Sequence, residues 1–196
     1  MLASLTVHEW AHAYTANRLG DPTARMLGRM SLNPAVHIDL LGTIVLPALA
    51  ILSGLPVLGW AKPVPVNMSR LSNPKRDFMI VAAAGPASNI ALAVGAAAVF
   101  HAFGGAAGVR PGLLDPVTVA YLFVTINILL AVFNMLPIPP LDGGNVLAGL
   151  LPDGMSGLLQ GLRQYGFIIL YALLFTGVLR QLLGPPTDFL TRLLLL

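Results

Sequence analysis

Two long apolar runs without Asp, Glu, Lys or Arg do most to constrain how this chain can fold. They cover residues 78–103 and 117–136, and each is long enough to cross the hydrocarbon core of a bilayer as a helix of about 20 residues. Only 10% of the chain is charged, whereas soluble domains carry about 25% charged residues. So few charges cannot cover a surface that faces water. The sequence therefore predicts an integral, multi-pass membrane protein in contact with a lipid bilayer.

The remaining pattern predicts a single domain over residues 1–196, folded as an all-α bundle of about five transmembrane helices. Residues 2–19 and 164–183 are predicted as further helices. Residues 40–61 carry no charge, but glycines and prolines interrupt them, so we expect a broken or re-entrant helix there. In residues 61–67, two prolines push their neighbours towards extended geometry. This predicts a short β element at the membrane surface.

Three smaller expectations concern the Pro-rich break and the two ends of the chain. A short helix is expected after the Pro-rich break at 137–140, with Asp142 placed to cap its N-terminus. Residues 189–196 are too few to cross a bilayer and are expected at its interface. The first residues lack the basic region of a signal peptide, so no cleavable signal is predicted.

The charge and the cysteine content exclude several functions. The formal net charge is +3, but the basic residues lie mainly in short loops between the apolar runs. There they orient a membrane protein rather than form a nucleic-acid groove, so no nucleic-acid partner is predicted. The absence of cysteine excludes disulfides, cysteine-ligated zinc and thiol catalysis.

The only glutamate of the chain lies in the sequence His8-Glu9-Trp10-Ala11-His12, which has the pattern HExxH. On a helix, residues four apart lie on one face, so His8 and His12 can bind one Zn²⁺ ion. Glu9 lies beside His8, within reach of a water at the metal rather than of the metal itself. Because zinc lowers the pKa of such a water from ~15.7 to ~7, the motif indicates hydrolytic chemistry.

Two histidines leave a catalytic zinc site incomplete, because such sites usually take three protein ligands and a water. With no second glutamate in the chain, the third ligand must be His37, His101 or an aspartate. Asp142 is the distinctive aspartate: it follows an apolar run, where a carboxylate is costly without a partner such as a bound cation. Other aspartates lie in loops or at helix ends and are interpreted as caps and surface charges: Asp21, Asp77, Asp115, Asp153 and Asp188.

A second motif lies far downstream of HExxH, with the sequence Asn134-x-x-Pro137-x-Pro139-x-Leu141-Asp142-Gly143-Gly144. The two motifs together resemble the site-2 proteases, which are intramembrane zinc metalloproteases of the M50 type. Three more segments are similar to the short bacterial members that lack a PDZ domain, namely residues 32–39, 59–66 and 85–89. The resemblance covers nearly the whole chain, and the combination of the two motifs is strongly specific.

The resemblance implies a role for each matching residue. His8, His12 and Asp142 would hold one zinc ion per chain. Glu9 would be the general base that activates the water. Asn134 would polarise the scissile carbonyl or hold the substrate strand.

The resemblance also implies a transmembrane protein as substrate, cut in regulated intramembrane proteolysis. The location would be a bacterial cell membrane. The substrate must unwind locally, because a helical peptide bond hides its carbonyl. We further expect residues 61–67 to pair with the unwound stretch by strand addition.

Two other functions stay open. Intramembrane histidine and aspartate could coordinate a passing cation in a metal-ion transporter, although such a path needs no Glu9 and no second ligand cluster is evident. A non-catalytic relative could bind membrane helices without cutting them, although the intact Glu9 argues against this. Outside the motifs, Asn89 is interpreted as a contact between helices or a cavity residue, and His37 and His101 as interfacial residues.

Overall fold

The computed structural model describes residues 1–54, 59–108, 115–152 and 161–196, and the regular structure in these ranges is entirely helical. The all-α fold class is therefore confirmed for this part of the chain. The α-helices with described bounds are α1 (Leu2–Arg18), α2 (Thr23–Met26), α3 (Leu46–Leu52), α4 (Pro74–Ala102), α5 (Pro116–Asn134), α6 (Asp142–Leu150), α7 (Gly166–Phe175) and α8 (Val178–Leu195). A π-helix, Leu40–Val45, leads into α3.

Helix α4 is the central element of the bundle, because it packs against α1, α5 and α6. Its face towards α5 carries Ala93, Ala97 and Phe100, which form a buried cluster with Val124 and Ile128 of α5. Small side chains on α4 let the helix backbones approach closely, which favours helix association in lipid. The first half of α4 lies against α1, where the HExxH histidines are.

Two helices in the described ranges, α4 and α5, are long and apolar enough to cross a membrane. A third span results if α7 and α8 are taken together, but these helices meet at an angle of 84°. The predicted single helix over 164–183 is therefore wrong. Gly177 has a φ of +76°, a left-handed conformation that commonly ends an α-helix. The predicted bundle of about five transmembrane helices is not confirmed by these bounds.

Residues 40–61 are interrupted, as their glycines and prolines predict. Helix α3 ends at Leu52, and residues 55–58 lie outside the described ranges. The chain then returns to its starting point. The Trp60 amide donates to the Gly42 carbonyl at 3.1 Å, and the Thr43 hydroxyl donates to the Trp60 carbonyl at 2.8 Å. The two ends of the run therefore lie together, as a re-entrant segment requires.

Two local predictions differ from the structure, and a third, the interfacial place of residues 189–196, stays a prediction. Residues 61–67 belong to no strand among the described residues, so the β element is not confirmed. Leu141 is the N-cap of α6, and Asp142 is the first helical residue and makes no capping hydrogen bond. The Asp142 carboxylate faces the histidines of α1 instead. Residues 189–195 are the end of α8, and Leu195 packs into the buried cluster between α4 and α5.

The buried cluster gives a direct test of this packing. Ile128 is fully buried, whereas its neighbour Leu129 is 43% exposed. We expect Ile128→Ala to lower the free energy of unfolding by about 2–5 kcal/mol, because it leaves a cavity. Leu129→Ala should change it by about 0.5 kcal/mol or less. Unfolding of the detergent-solubilised protein, followed by circular dichroism, measures both variants, and equal losses would contradict the assigned core.

Candidate metal centre

Three side chains from two helices converge at the junction of α1, α4 and α6. The Nε2 atoms of His8 and His12 are 3.0 Å apart. The Oδ2 atom of Asp142 is 3.1 Å from Nε2 of His8 and 3.4 Å from Nε2 of His12. Both histidines are buried, and the three residues form a group that could hold a metal ion. The structure therefore brings together the three residues predicted as zinc ligands.

The far sides of both imidazole rings meet hydrogen-bond acceptors. His12 Nδ1 lies 2.7 Å from the carbonyl oxygen of Val81, and His8 Nδ1 lies 2.7 Å from Oδ1 of Asn89. A carbonyl only accepts, so Nδ1 of His12 must carry the proton and its Nε2 keeps a lone pair. The Asp142 Oδ2 atom is buried and accepts no hydrogen bond in the described part of the chain. The Nε2 atoms of His8 and His12 and the Oδ2 atom of Asp142 therefore direct lone pairs at one point, where a bound cation would accept them.

The spacing of these atoms fits a tetrahedral metal. Ligand atoms about 2.0–2.1 Å from zinc and at the tetrahedral angle lie about 3.3 Å from one another. The observed separations of 3.0, 3.1 and 3.4 Å surround this value. Nitrogen and carboxylate oxygen are also donors that zinc accepts. The donor set and its geometry therefore fit zinc, with a fourth position left for water or substrate.

Other candidate ligands lie elsewhere. His37 Nε2 meets the carbonyl oxygen of Ser31 at 2.8 Å, and His101 Nε2 meets that of Leu194 at 2.8 Å. Asp21 lies at the end of α1, where it binds neighbouring backbone. Asp153 lies outside the described residues. Asp21 was interpreted as a cap or a surface charge; its side chain is fully buried and accepts from the amide of Thr23, the first residue of α2.

A cavity of about 460 Å³ opens beside the three ligands. Its wall includes Glu9 and Asn134, the two residues predicted to take part in catalysis. The rest of the wall is mainly apolar and includes Leu5, Trp60, Val64, Phe78, Leu130 and Phe167. An apolar group therefore suits this cavity better than a charged one. The structure brings Glu9 and Asn134 to the site, and their chemical roles stay predictions.

The segment 61–67 borders the cavity and is held at several points, one of which is the Lys62 amide, which donates to the His37 carbonyl at 2.8 Å. The Val64 amide donates to Oε2 of Glu9 at 3.2 Å. The Arg29 guanidinium donates to the Lys62 carbonyl at 2.6 Å, and the Asn67 amide donates to Oδ2 of Asp21 at 2.6 Å. Arg29 and Asp21 were not predicted as site-supporting residues. Since a buried charge needs partners, their burial in the folded chain is the signal that assigns them this role.

The ionisation of Asp21 supports this anchoring role. Burial acts to raise the pKa of Asp21, but hydrogen bonds from Thr23 and Asn67 outweigh it, and the pKa is lowered from its usual value. The carboxylate is therefore ionised at neutral pH and can accept from the Asn67 amide and from the amide of Thr23. Charge-assisted bonds of this kind are stronger than neutral ones.

The metal centre also depends on a position without a side chain. A Cβ atom at Gly85 of α4 would lie 2.4 Å from Nε2 of His12 and 2.6 Å from Cε1 of His8. Such distances are far below van der Waals contact, so α4 can lie behind the two rings only with glycine at this position. This steric requirement accounts for the glycine at the first position of segment 85–89.

Comparisons with known proteins decide the family. The sequence model of Peptidase family M50 matches residues 111–176. A protein of Bacillus subtilis (strain 168) named "Putative zinc metalloprotease YwhC" is 36% identical over 190 residues, covering 94% of this chain and 82% of that protein. The chain belongs to peptidase family M50. The resemblance to the M50 metalloproteases is thereby confirmed, and the family supports zinc as the cofactor.

Two mycobacterial relatives of the M50 chain carry names of the same form. "Putative zinc metalloprotease Rip2" of Mycolicibacterium smegmatis is 35% identical over 188 residues, covering 92% of this chain and 66% of that protein. "Putative zinc metalloprotease Rip3" of Mycobacterium tuberculosis is 34% identical over 154 residues, covering 77% of this chain and 30% of that protein. No solved structure matches the chain significantly.

A pair of glycine substitutions on α4 tests the metal centre. Gly85→Ala should weaken zinc binding by roughly 100-fold or more, at the upper end of what loss of ligand orientation costs, because the methyl group collides with both imidazoles. Gly95→Ala on the same helix should leave zinc binding unchanged, since no atom lies within 4 Å of the added Cβ. Zinc affinity measured by competition with a chelator compares them, and normal binding by Gly85→Ala would contradict the assigned site.

Proposed function

We propose that this M50 protein is a zinc endopeptidase that cuts peptide bonds within transmembrane segments of other proteins, in a bacterial cell membrane. One observation supports the proposal above all. Two imidazoles and a carboxylate, each able to bind zinc, converge at a mainly apolar cavity in a bundle with two described helices that are long and apolar enough to cross a membrane. A site that acted on soluble peptides would have no need of such surroundings.

His8, His12 and Asp142 would hold the zinc ion in the proposed site. When bound, zinc lowers the pKa of a water molecule and polarises the carbonyl group of a substrate. The protein contributes the fixed directions of its ligand atoms and a mainly apolar cavity beside them. The roles proposed for Glu9 and Asn134 follow from their positions in the wall of this cavity.

Glu9 is placed to move protons in peptide hydrolysis. Its side chain is half-buried in the cavity wall, one residue along the helix from His8. The carboxylate would take the proton of the attacking water and return it to the leaving nitrogen. The Val64 amide donates to one carboxylate oxygen at 3.2 Å and holds the group in the cavity. The second carboxylate oxygen would then accept the proton of the attacking water.

Asn134 lies at the end of α5, in the wall of the same cavity. One N–H of its amide donates to the Leu130 carbonyl at 2.9 Å, which holds the side chain against its own helix. A primary amide has two N–H donors, so the second can bind the scissile carbonyl oxygen. A donor in this position stabilises negative charge that develops on that oxygen.

The segment 61–67 suits the binding of an unwound substrate. Residues i and i+2 of an extended chain point their N–H and C=O groups to the same edge. The edge of Val64 and Val66 faces Glu9, while Pro63 and Pro65 have no N–H to offer on the other edge. A substrate strand could therefore add to the Val64–Val66 edge. In this proposal the predicted β element forms only when the substrate is bound.

The proposal also includes more membrane-inserted helices than α4 and α5. Residues 40–52 expose many apolar side chains: Leu40, Leu41, Ile44, Leu49, Ile51 and Leu52. Such a surface is stable in hydrocarbon and unfavourable in water. With α1 and the bent pair α7–α8, this segment brings the number of inserted helical units to about five. Insertion of all of them would give the polytopic bundle predicted from the sequence.

Glu9→Gln tests the chemical role of the site. We expect the variant to bind zinc as the wild type does and to lose peptide cleavage by roughly 10²–10⁴-fold, the usual contribution of a general base. The protein is reconstituted in liposomes with a single-span substrate that carries Asn and Gly in mid-span, and products are identified by mass spectrometry. A poly-Leu span that cannot unwind serves as the control substrate.

Each other outcome of this experiment excludes part of the proposal. Full cleavage by Glu9→Gln would contradict Glu9 as the base. Zinc binding without cleavage by the wild type would favour the non-catalytic relative. Zinc transport into the liposomes, unchanged in Glu9→Gln, would favour the transporter.

Val66→Pro tests strand addition. The substitution removes the Val66 N–H and is compatible with the extended backbone that prolines favour. We expect kcat/KM for the single-span substrate to fall roughly 10-fold, which corresponds to one lost hydrogen bond of about 1.4 kcal/mol, with zinc content unchanged. Val66→Ala keeps the N–H and is the matched control. A larger loss in Val66→Ala than in Val66→Pro would contradict backbone pairing at this position.

A further inference from the structure

Two buried asparagines form an unusual polar contact in the middle of the bundle. Asn89 of α4 and Asn127 of α5 are both 0% exposed, and Asn89 Nδ2 donates to Oδ1 of Asn127 at 2.9 Å. Burying an unpaired amide is costly, so the pair needs partners for all its groups. A contact that only joined two helices would end with the Asn89–Asn127 pair. Here the hydrogen bonds continue from Asn89 to His8 of the metal centre.

The direction of these hydrogen bonds follows from their far end. Asn127 approaches the Phe123 carbonyl at 2.8 Å, and a carbonyl only accepts, so the approaching atom must be nitrogen. The oxygen of Asn127 therefore faces Asn89, which must present its own nitrogen. The Ser4 carbonyl, 3.3 Å from the same Asn89 nitrogen, requires the same orientation. Two backbone carbonyls thus determine how both amides are turned.

The orientation of Asn89 determines the proton position on His8. With its nitrogen committed to Asn127 and Ser4, Asn89 can offer only Oδ1 to the His8 ring, at 2.7 Å. His8 Nδ1 must then carry the proton, which leaves the lone pair on Nε2, the atom that faces Asp142 and His12. Neutral imidazole has one N–H and one lone pair, so this tautomer is the one that can bind a metal.

The two histidines reach the same state by different means. His12 Nδ1 meets the backbone carbonyl of Val81, which cannot donate or turn. His8 meets a side-chain amide, which would present nitrogen instead of oxygen after a half turn. Such a turn would favour the tautomer with the proton on Nε2. A protonated Nε2 has no lone pair with which to bind zinc. Asn127 prevents the turn, because its oxygen needs the nitrogen of Asn89.

We propose that Asn89, held by Asn127, is a positioning residue that keeps His8 in its metal-binding tautomer. The inference rests on the proposed zinc site and adds to it two residues that lie outside the HExxH and Asp142 motifs. Neither asparagine touches the cavity, and both act through the His8 ring. Partners of this kind raise the basicity of a ligating histidine and typically change metal affinity by roughly 10–100-fold.

Two substitutions at position 89 separate positioning from packing. Asn89→Leu keeps the branched shape of the side chain but removes the acceptor for His8 Nδ1, so zinc affinity should fall roughly 10–100-fold. Asn89→Asp keeps an acceptor, and its negative charge favours the protonated Nδ1, so its zinc affinity should exceed that of Asn89→Leu by at least 10-fold. A contact that only joined helices would give the opposite order, because a leucine packs between helices better than a buried carboxylate.

The measurement uses the full-length protein in detergent, with zinc affinity from chelator competition. The absorption spectrum of the Co²⁺-substituted protein is a second readout that reports ligand geometry, and circular dichroism reports helix content. Ser88→Ala is the control, since this neighbour bonds only to the Gly85 carbonyl on its own helix in the described part of the chain. It should match the wild type in both affinity and spectrum.

The outcomes are distinct. Zinc affinity of Asn89→Asp equal to or below that of Asn89→Leu would overturn the inference. If Asn89→Leu does not fold, Asn127→Leu takes its place, and we expect weaker zinc binding because only the longer contact with the Ser4 carbonyl, at 3.3 Å, then opposes a turn of the Asn89 amide; unchanged affinity would overturn the inference. A wild-type protein that binds neither zinc nor Co²⁺ would overturn the proposed zinc site itself, and with it this inference.

Discussion

The convergence of three lone-pair donors in an apolar bundle is the constraint on which the rest of the structure depends. Two imidazoles and a carboxylate within 3.4 Å of one another repel unless a cation or a proton lies between them. The hydrogen-bond acceptors on the far side of the two imidazole rings favour a cation over a proton at this point. The Val81 carbonyl and the Asn89 amide oxygen accept hydrogen bonds from the Nδ1–H groups on the opposite side of the rings, and Gly85 leaves room for both rings. The position of α4 against α1 is therefore constrained at Val81, Gly85 and Asn89, which all face the two histidines.

A second constraint is the need to present a peptide bond in surroundings that favour helices. The re-entrant run brings Trp60 back to Gly42, and the segment that follows is held by the buried groups of Asp21 and Arg29. These two anchors keep a backbone edge beside Glu9 without any strand neighbour in the described residues. The site therefore combines a metal centre on helices with an extended segment of backbone that belongs to no strand in the described residues.

Local sequence patterns predicted the parts of the site that depend on local geometry. His8 and His12 share a helix face because they are four residues apart, and the prolines at 63 and 65 exclude helix from their segment. Asp142 was singled out only as an ionisable group after an apolar run, and its pairing with α1 came from the resemblance. The break at Gly177 was missed, since glycine is tolerated inside membrane helices and only its φ shows that α7 ends there. Asn127 was missed because its partner lies 38 positions away, a contact that only tertiary packing reveals.

The most direct test of the central claim is the zinc content of the detergent-purified protein, measured by mass spectrometry of the metal for the wild type and for Asp142→Ala in parallel. The account predicts about one zinc ion per chain in the wild type and a large loss in the variant, because two histidines alone leave the site one ligand short. A wild type without zinc, or an Asp142→Ala variant that retains it fully, would contradict the His8–His12–Asp142 centre.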